Sequence, residues 1–270
     1  MKTRALSFCC SPAKRKHYES NLFQTLDLLS LVPSKNMISG TINAGLHLTP
    51  SECQFAIKWW LGIQLCEPGS VCALCPTKAL EAHHALTCKR GSYVIARHNH
   101  LHDTLHHFFK KALYNHKLEA GSGLGHDQKQ SRPADILVNN WGFNGKPAAF
   151  DLSVPSPLKP DIVSEAGHTA GAAAFATEQR KIQANSGICE ELGWSCIPLV
   201  VDSFGAWGQL ASNTFKKFAS RLSVQVNSST STTLDSIYSR LNLSLVRLNA
   251  RAFLARAGPC AKVSDIYLDG

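Results

Sequence analysis

The 270-residue sequence predicts an α/β fold, a mixed sheet flanked by helices, with a helical N-terminal region and a small cysteine-rich module ahead of the sheet. Three observations carry this expectation. Short apolar runs at 135–138, 148–154 and 196–201 have strand length, and long stretches at helical spacing surround them. Asn139-Asn140 and Asn144-Gly145 supply turn chemistry between the first two of those runs. The alanine-rich stretch 161–185 has few breakers and reads as one long helix before the last run. The resulting order is helix, three strands, helix, strand, which makes a mixed α/β core.

Each element follows in chain order. Residues 19–31 carry apolar side chains at helical spacing and end at Pro33, Ser34 and Gly40. A second helix is expected over 50–63, with Thr49 or Ser51 at its start and Gly62 near its end. Its Phe55, Ile57, Trp59 and Trp60 are expected to pack on a neighbour. A histidine-rich helix follows over 93–114, and the first strand is placed around Leu118-Glu119-Ala120. Two helices near 208–224 and 233–256 close the chain, with Thr232 and Asp235 as the expected cap of the second. That last helix has Ile237, Leu241 and Leu245 on one side and Arg240, Arg247 and Arg251 on another. The basic side lies either in solvent or along a phosphate backbone. The expected divisions are a helical segment 1–70, a cysteine module 71–90, a sheet domain 91–225 and a C-terminal helix 226–270.

Charge and cysteine content narrow the function classes. A formal net charge of +9 favours a polyanionic partner, DNA or RNA. Between Met1-Lys2-Thr3-Arg4 and Lys14-Arg15-Lys16 no hydrophobic signal region fits, and no apolar run is long enough to span a bilayer. The expected compartment is therefore reducing, nuclear or cytoplasmic, where clustered cysteines are metal ligands more often than bridges. Of the 10 cysteines, Cys9, Cys10, Cys53, Cys66, Cys189, Cys196 and Cys260 are scattered and read as ordinary thiols.

The other three cysteines stand in Cys72-x2-Cys75-x7-His83-x4-Cys88. Thiolates and an imidazole suit zinc, and four ligands close a tetrahedral structural site. Cys-x2-Cys lets two sulfurs grip one ion from a tight turn. His83 is the favoured fourth ligand, and His84 competes with it. Lys89, Arg90 and Arg97 lie just beyond, where they are expected to meet phosphates.

Glu119, Asp135 and Asp151 fall where strands are predicted. A carboxylate inside an apolar strand is costly when buried alone, so two on adjacent strands point to a shared cation. Magnesium, or manganese, takes one or two protein carboxylates and keeps water and phosphate as its other ligands. Such an ion can activate water against a phosphodiester. Lys181, one turn from Glu178, is the candidate for holding charge that develops on phosphorus. The competing reading of these groups is an ion-paired surface.

The ordered set of the cysteine cluster, Arg97-His98-Asn99, Arg132-Pro133-Ala134-Asp135 and Phe150-Asp151-Leu152-Ser153-Val154 resembles the C-terminal part of non-LTR retrotransposon proteins with a restriction-enzyme-like endonuclease. The resemblance covers roughly residues 50–210. It implies a CCHC zinc knuckle ahead of a PD-(D/E)xK nuclease domain with a restriction-endonuclease-like mixed sheet. It also implies that Asp135 and Asp151 are metal-binding acids and that Glu119 is the acid before the first motif. Lys181 becomes the lysine that has moved to the following helix, because Ser153 stands where Asp-x-Lys has lysine. Arg132 joins the residues expected to contact nucleic acid. No Asp-Asp dipeptide of a reverse transcriptase is present, so the expectation is an element tail without its polymerase. The alternative to an active endonuclease is an inactive, zinc-dependent nucleic-acid-binding remnant.

Two further signals count for less. His98, His102 and His106 recur at helical spacing, but without the glutamate of a metalloprotease they read as a DNA-facing or partly packed helix. Gly121-Ser122-Gly123-Leu124-Gly125 has no P-loop lysine and reads as a strand-to-strand loop.

Overall fold

A computed structural model describes residues 48–118, 134–141 and 145–258. The helix expected over 19–31, Glu119, the 121–125 loop and Arg132 lie outside the described residues.

Helix α1 (Pro50–Trp60) opens with a capping box in which Thr49 and Glu52 satisfy each other's backbone N–H groups, with Pro50 in the first turn. A hairpin of β1 (Val71–Cys72) and β2 (Cys75–Ala79) and a short helix α2 (Ala82–Thr87) form the cysteine module. Helix α3 (Tyr93–Lys111) then leads into β3 (His116–Leu118), β4 (Ile136–Val138) and β5 (Ala148–Ser153). A four-residue helix α4 (Val163–Ala166) and the long α5 (Ala172–Glu191) cross over to β6 (Ser195–Val200). Helices α6 (Gln209–Gln225) and α7 (Thr230–Ala257) complete the chain.

The sheet is open and mixed, in the order β3-β4-β5-β6. Neighbours β3/β4 and β4/β5 are antiparallel, and β5/β6 is parallel, as a helical crossover requires. Pro198 is tolerated inside β6 because β6 is an edge strand. One face of the sheet carries Ile136, Val138, Phe150 and Leu152 against Leu105 and Phe109 of α3 and Phe215 and Phe218 of α6. Leu137 and Ala149 point the other way and pack with Cys189 of α5.

Three local expectations need correction. The helix expected over 161–185 is broken between α4 and α5, where Gly171 takes φ 77° and serves as the N-cap of α5. The second correction concerns the start of α7. Its cap is Ser229, which accepts from Thr232 N at 3.0 Å, and not the Thr232/Asp235 pair. Finally, the first strand begins earlier than expected, at His116.

Helix α7, 28 residues long, spans about 42 Å and ties the two halves together. Its Ile237, Leu241 and Leu245 sit in the sheet core, whereas Ala250, Ala252 and Phe253 pack with Phe55, Trp59, Cys72 and Leu86. On its other side, Arg251 Nε donates to Glu52 Oε1 at 2.8 Å, and Arg247 Nε lies 4.0 Å from Oε2 of that buried carboxylate. These two arginines therefore hold α7 to α1 and are not a free basic face.

Candidate metal cluster and acid-lysine site

Cys72 and Cys75 face each other across the β1–β2 turn, so the Cys-x2-Cys spacing puts both thiols at one hairpin tip. Helix α2 supplies the third and fourth groups. Cys88 caps it, and its N–H donates to the carbonyl of His84 at 2.8 Å. Residues four apart share a helix face, so His84 lies on the side of Cys88 and the adjacent His83 points away. The ligand atoms of Cys72, Cys75, His84 and Cys88 all lie within 4.8 Å of one another, and this set could hold a zinc ion. Cys75 Sγ is 3.0 Å from His84 Nε2 and 3.8 Å from Cys88 Sγ.

His83 is corrected from ligand to brace. Its Nδ1 is 2.9 Å from Ser156 Oγ, which fastens α2 to the segment after β5. The signal that separates the two histidines is helical phase relative to Cys88, which depends on where α2 starts.

The chemistry of the cluster fits a cation. Desolvation, and then the neighbouring Cys88 and Cys72 thiols, push the Cys75 thiol up to about 11. At Cys88 burial also acts upward, but hydrogen bonds from the Arg90 backbone and from Arg256 outweigh it and hold that thiol below its ordinary value. A guanidinium stands just behind. Fully buried Arg256 donates to the carbonyls of Ala252, Cys88 and Arg90 at 2.7, 2.9 and 3.1 Å and lies over the Tyr93 ring. Ala73, in the hairpin turn, donates in return to the Arg256 carbonyl at 2.8 Å.

The expected phosphate-contacting residues divide. Lys89 and Arg90 are exposed. Arg97 is buried and therefore corrected: it donates to Asn249 Oδ1 at 2.7 Å and to the Leu86 carbonyl at 3.2 Å. Burial and the nearby Arg256 pull its guanidinium down to about 10. An arginine spent this way joins α3, α2 and α7 and is not available to DNA.

Asp135, Asp151 and Lys181 come together at the C-terminal end of β5. The β4–β5 register pairs Ile136 with Phe150, which sets Asp135 opposite Asp151 one step further. Lys181, two turns into α5, donates to Asp151 Oδ2 at 2.5 Å, and Asn185 one turn later donates to the same oxygen at 3.2 Å. Asn185 was not foreseen, although its i+4 relation to Lys181 places it on that face. Asp135 Oδ2 accepts from Leu152 N at 2.7 Å and lies 3.4 Å from His98 Nε2.

The two carboxyls are driven apart. At Asp135 burial acts upward, but the His98 and Leu152 hydrogen bonds outweigh it and hold the group below its ordinary value. At Asp151 burial wins, Lys181 offsets it only in part, and Asp135 adds to the upward push. His98 is raised, chiefly by its hydrogen bond to Asp135. Among the described residues, the hydrogen bonds to both carboxylates fall on Oδ2, which leaves the two Oδ1 atoms for a cation.

Glu178, one turn before Lys181, has a structural task. It is buried, and its Oε1 accepts from Leu210 N at 3.1 Å, satisfying the first turn of α6. The histidines of α3 do not gather on a second metal. His98 turns to Asp135, His100 Nε2 lies 3.2 Å from Ser244 Oγ, and His106 packs edge-on to His116.

No protein-family model matches this sequence, and a search of curated proteins finds no relative. No helix among the described residues is long and apolar enough to cross a membrane.

Proposed function

We propose that this chain is a metal-dependent, PD-(D/E)xK-type DNA endonuclease related to the non-LTR retrotransposon proteins, with a CCHC zinc knuckle that positions the nucleic acid. The observation that carries the reading is the convergence of Asp135, Asp151 and Lys181, three residues from two strands and a distant helix, on one place. A surface ion pair needs only two partners; it has no use for a second half-buried carboxylate just ahead of the adjacent strand.

Asp135 and Asp151 would hold magnesium or manganese through their Oδ1 atoms, and such an ion supplies Lewis acidity and an activated water. Lys181 holds a positive charge beside the oxygen where phosphate would sit. His98 keeps Asp135 ionised. The zinc ligands in this reading are Cys72, Cys75, His84 and Cys88. Exposed Lys89 and Arg90, immediately after the last ligand, face a backbone of phosphates. The net charge of +9 is consistent with a nucleic-acid partner.

A second reading, a zinc-dependent nucleic-acid-binding protein without cleavage, has one observation behind it. Ser153 occupies the strand position two residues after Asp151 where the nuclease element has lysine.

Purified zinc-loaded protein with magnesium or manganese should nick supercoiled plasmid, and Asp151→Ala should abolish nicking. Equal nicking by both proteins overturns the proposal. Salt-sensitive DNA binding with no nicking by the wild type selects the second reading.

A further inference from the structure

A cavity of about 480 Å³ opens beside the acid-lysine site, in the size range of small-ligand pockets. Its wall includes Thr87, Ser153, Ser156, Lys159, Thr177 and Arg180. Three of these fix where it lies. Ser153 is two residues beyond Asp151 on β5, so both project from the same face of the strand, about 7 Å apart along it. Thr177 is one turn before Lys181 on the same face of α5. Thr87 belongs to the knuckle helix, between ligands His84 and Cys88. The cavity therefore has chain neighbours of both the acid-lysine site and the cysteine cluster in its wall, and Ser156 of that wall is hydrogen-bonded to His83.

Its chemistry has two parts. Val154, Ile162 and Ala176 give it apolar wall. Lys159 and Arg180 are exposed cations at its rim, with the hydroxyl of Ser153 nearby. Asp161 also lines it, but this exposed carboxylate lies 3.7 Å from Lys159 Nζ and is solvent-screened. A hollow with one apolar patch among hydroxyl groups and two cations at its lip suits a flat ring attached to a phosphate.

We propose that this cavity takes one unpaired nucleotide of the strand bound at the acid-lysine site, its base against Val154, Ile162 and Ala176 and its phosphate between Lys159 and Arg180. The inference rests on the nuclease reading and adds a substrate class to it. A stacked, paired base cannot enter a hollow between a strand and a helix, whereas an unpaired or extruded base can, at lower cost. The favoured substrate is a duplex with an unpaired position next to the cleaved bond, and not a continuous duplex.

The test measures binding by the full zinc-loaded chain without magnesium, so that no cleavage is needed. Fluorescence anisotropy compares a paired DNA duplex with the same duplex carrying one unpaired nucleotide at its centre. The unpaired probe should bind about tenfold more tightly, because seating its base breaks no base pair. Ala176→Phe, at an exposed helical position, fills the hollow and should reduce that preference to about twofold. Arg180→Glu, also exposed, should weaken binding of the unpaired probe and flatten its salt dependence. Equal affinity for the two probes, no binding of either, or a preference that survives Ala176→Phe overturns the proposal. Loss of the nuclease reading looks different: no nicking with magnesium while the preference for the unpaired probe persists.

Discussion

Lys181 Nζ and Asp151 Oδ2 are 2.5 Å apart although the residues are thirty positions apart in the chain. The lysine side chain is 20% exposed and the aspartate 17%, so solvent does little to screen the pair. Asp151 nevertheless has a raised carboxyl, because burial and Asp135 act against ionisation. Lys181 offsets that push only in part.

Lys181→Met removes the cation bonded to Asp151. The Asp151 carboxyl should rise further. A group whose folded value is raised gives stability that is full below its unfolded value and is lost as pH rises through the folded one. The variant should therefore be close to wild type in acid and less stable at neutral pH, by about 1–2 kcal/mol. Urea unfolding with saturating zinc at several pH values measures this, and a pH-independent deficit would remove Asp151 from the explanation. Nicking should fall by about 100-fold or more.

The two adjacent histidines make opposite predictions. His84→Ala should cost zinc affinity heavily, because three thiols remain to close a tetrahedral site. His83→Ala should retain one zinc per chain and lose only the Ser156 hydrogen bond, about 1 kcal/mol. A chromophoric chelator competition reads both. Zinc loss in His83→Ala with retention in His84→Ala would reverse the assignment.

Much of the architecture was legible because it rests on local pattern. The apolar runs at 136–138 and 148–153 and the asparagine-glycine turns between them mark β4 and β5, and Cys-x2-Cys marks the hairpin tip. What stayed hidden depends on partners far along the chain. Arg97 looks like a phosphate ligand until Asn249, 152 residues later, takes its guanidinium. Gly171, with Gly167 four residues before it, interrupts an alanine-rich stretch that otherwise has no breaker. His83 and His84 differ only by 100° of helical phase, which spacing alone cannot read. The placement of Asp135 and Asp151 on predicted strands, with Lys181 on the following helix, suggests a shared site and an ion-paired surface equally well, and the resemblance adds weight to the site.

Glu178 makes a prediction of a coupled kind. Its carboxylate accepts from Leu210 N, and a Cβ at Gly208 would collide with that carboxylate. Gly208→Ala should therefore destabilise the protein in the wild-type background, whereas after Glu178→Ala the same change should cost much less. Glu178→Ala alone should cost about 1–2 kcal/mol, the range for losing a helix N-cap. Thermal unfolding of the two single variants and the double variant gives the coupling. Strict additivity would mean that the loop shifts to make room.

Asp202 supplies the sharpest dependence on pH. It is fully buried in the turn after β6, where Oδ1 accepts from Phe204 N at 2.9 Å and Ala206 N at 3.0 Å. Among the described residues Oδ2 has no hydrogen-bond partner. Burial pushes this carboxyl from 3.8 up to about 6, against the pull of those backbone donors. Because the folded value is raised, the Asp202 contribution is full below pH 3.8 and is lost as pH climbs through about 6. Asn at this position keeps the Oδ1 acceptor and never ionises. Relative to wild type, Asp202→Asn should therefore gain stability steadily from pH 4.5 to pH 6.5 and level off above that. A shift of about two units corresponds to about 3 kcal/mol, which is the ceiling on the gain. Zinc release in acid affects both proteins alike, so the difference between their urea midpoints isolates the carboxyl. A difference that stays flat across the series would mean that Asp202 is ionised throughout, with a counter-charge reaching Oδ2.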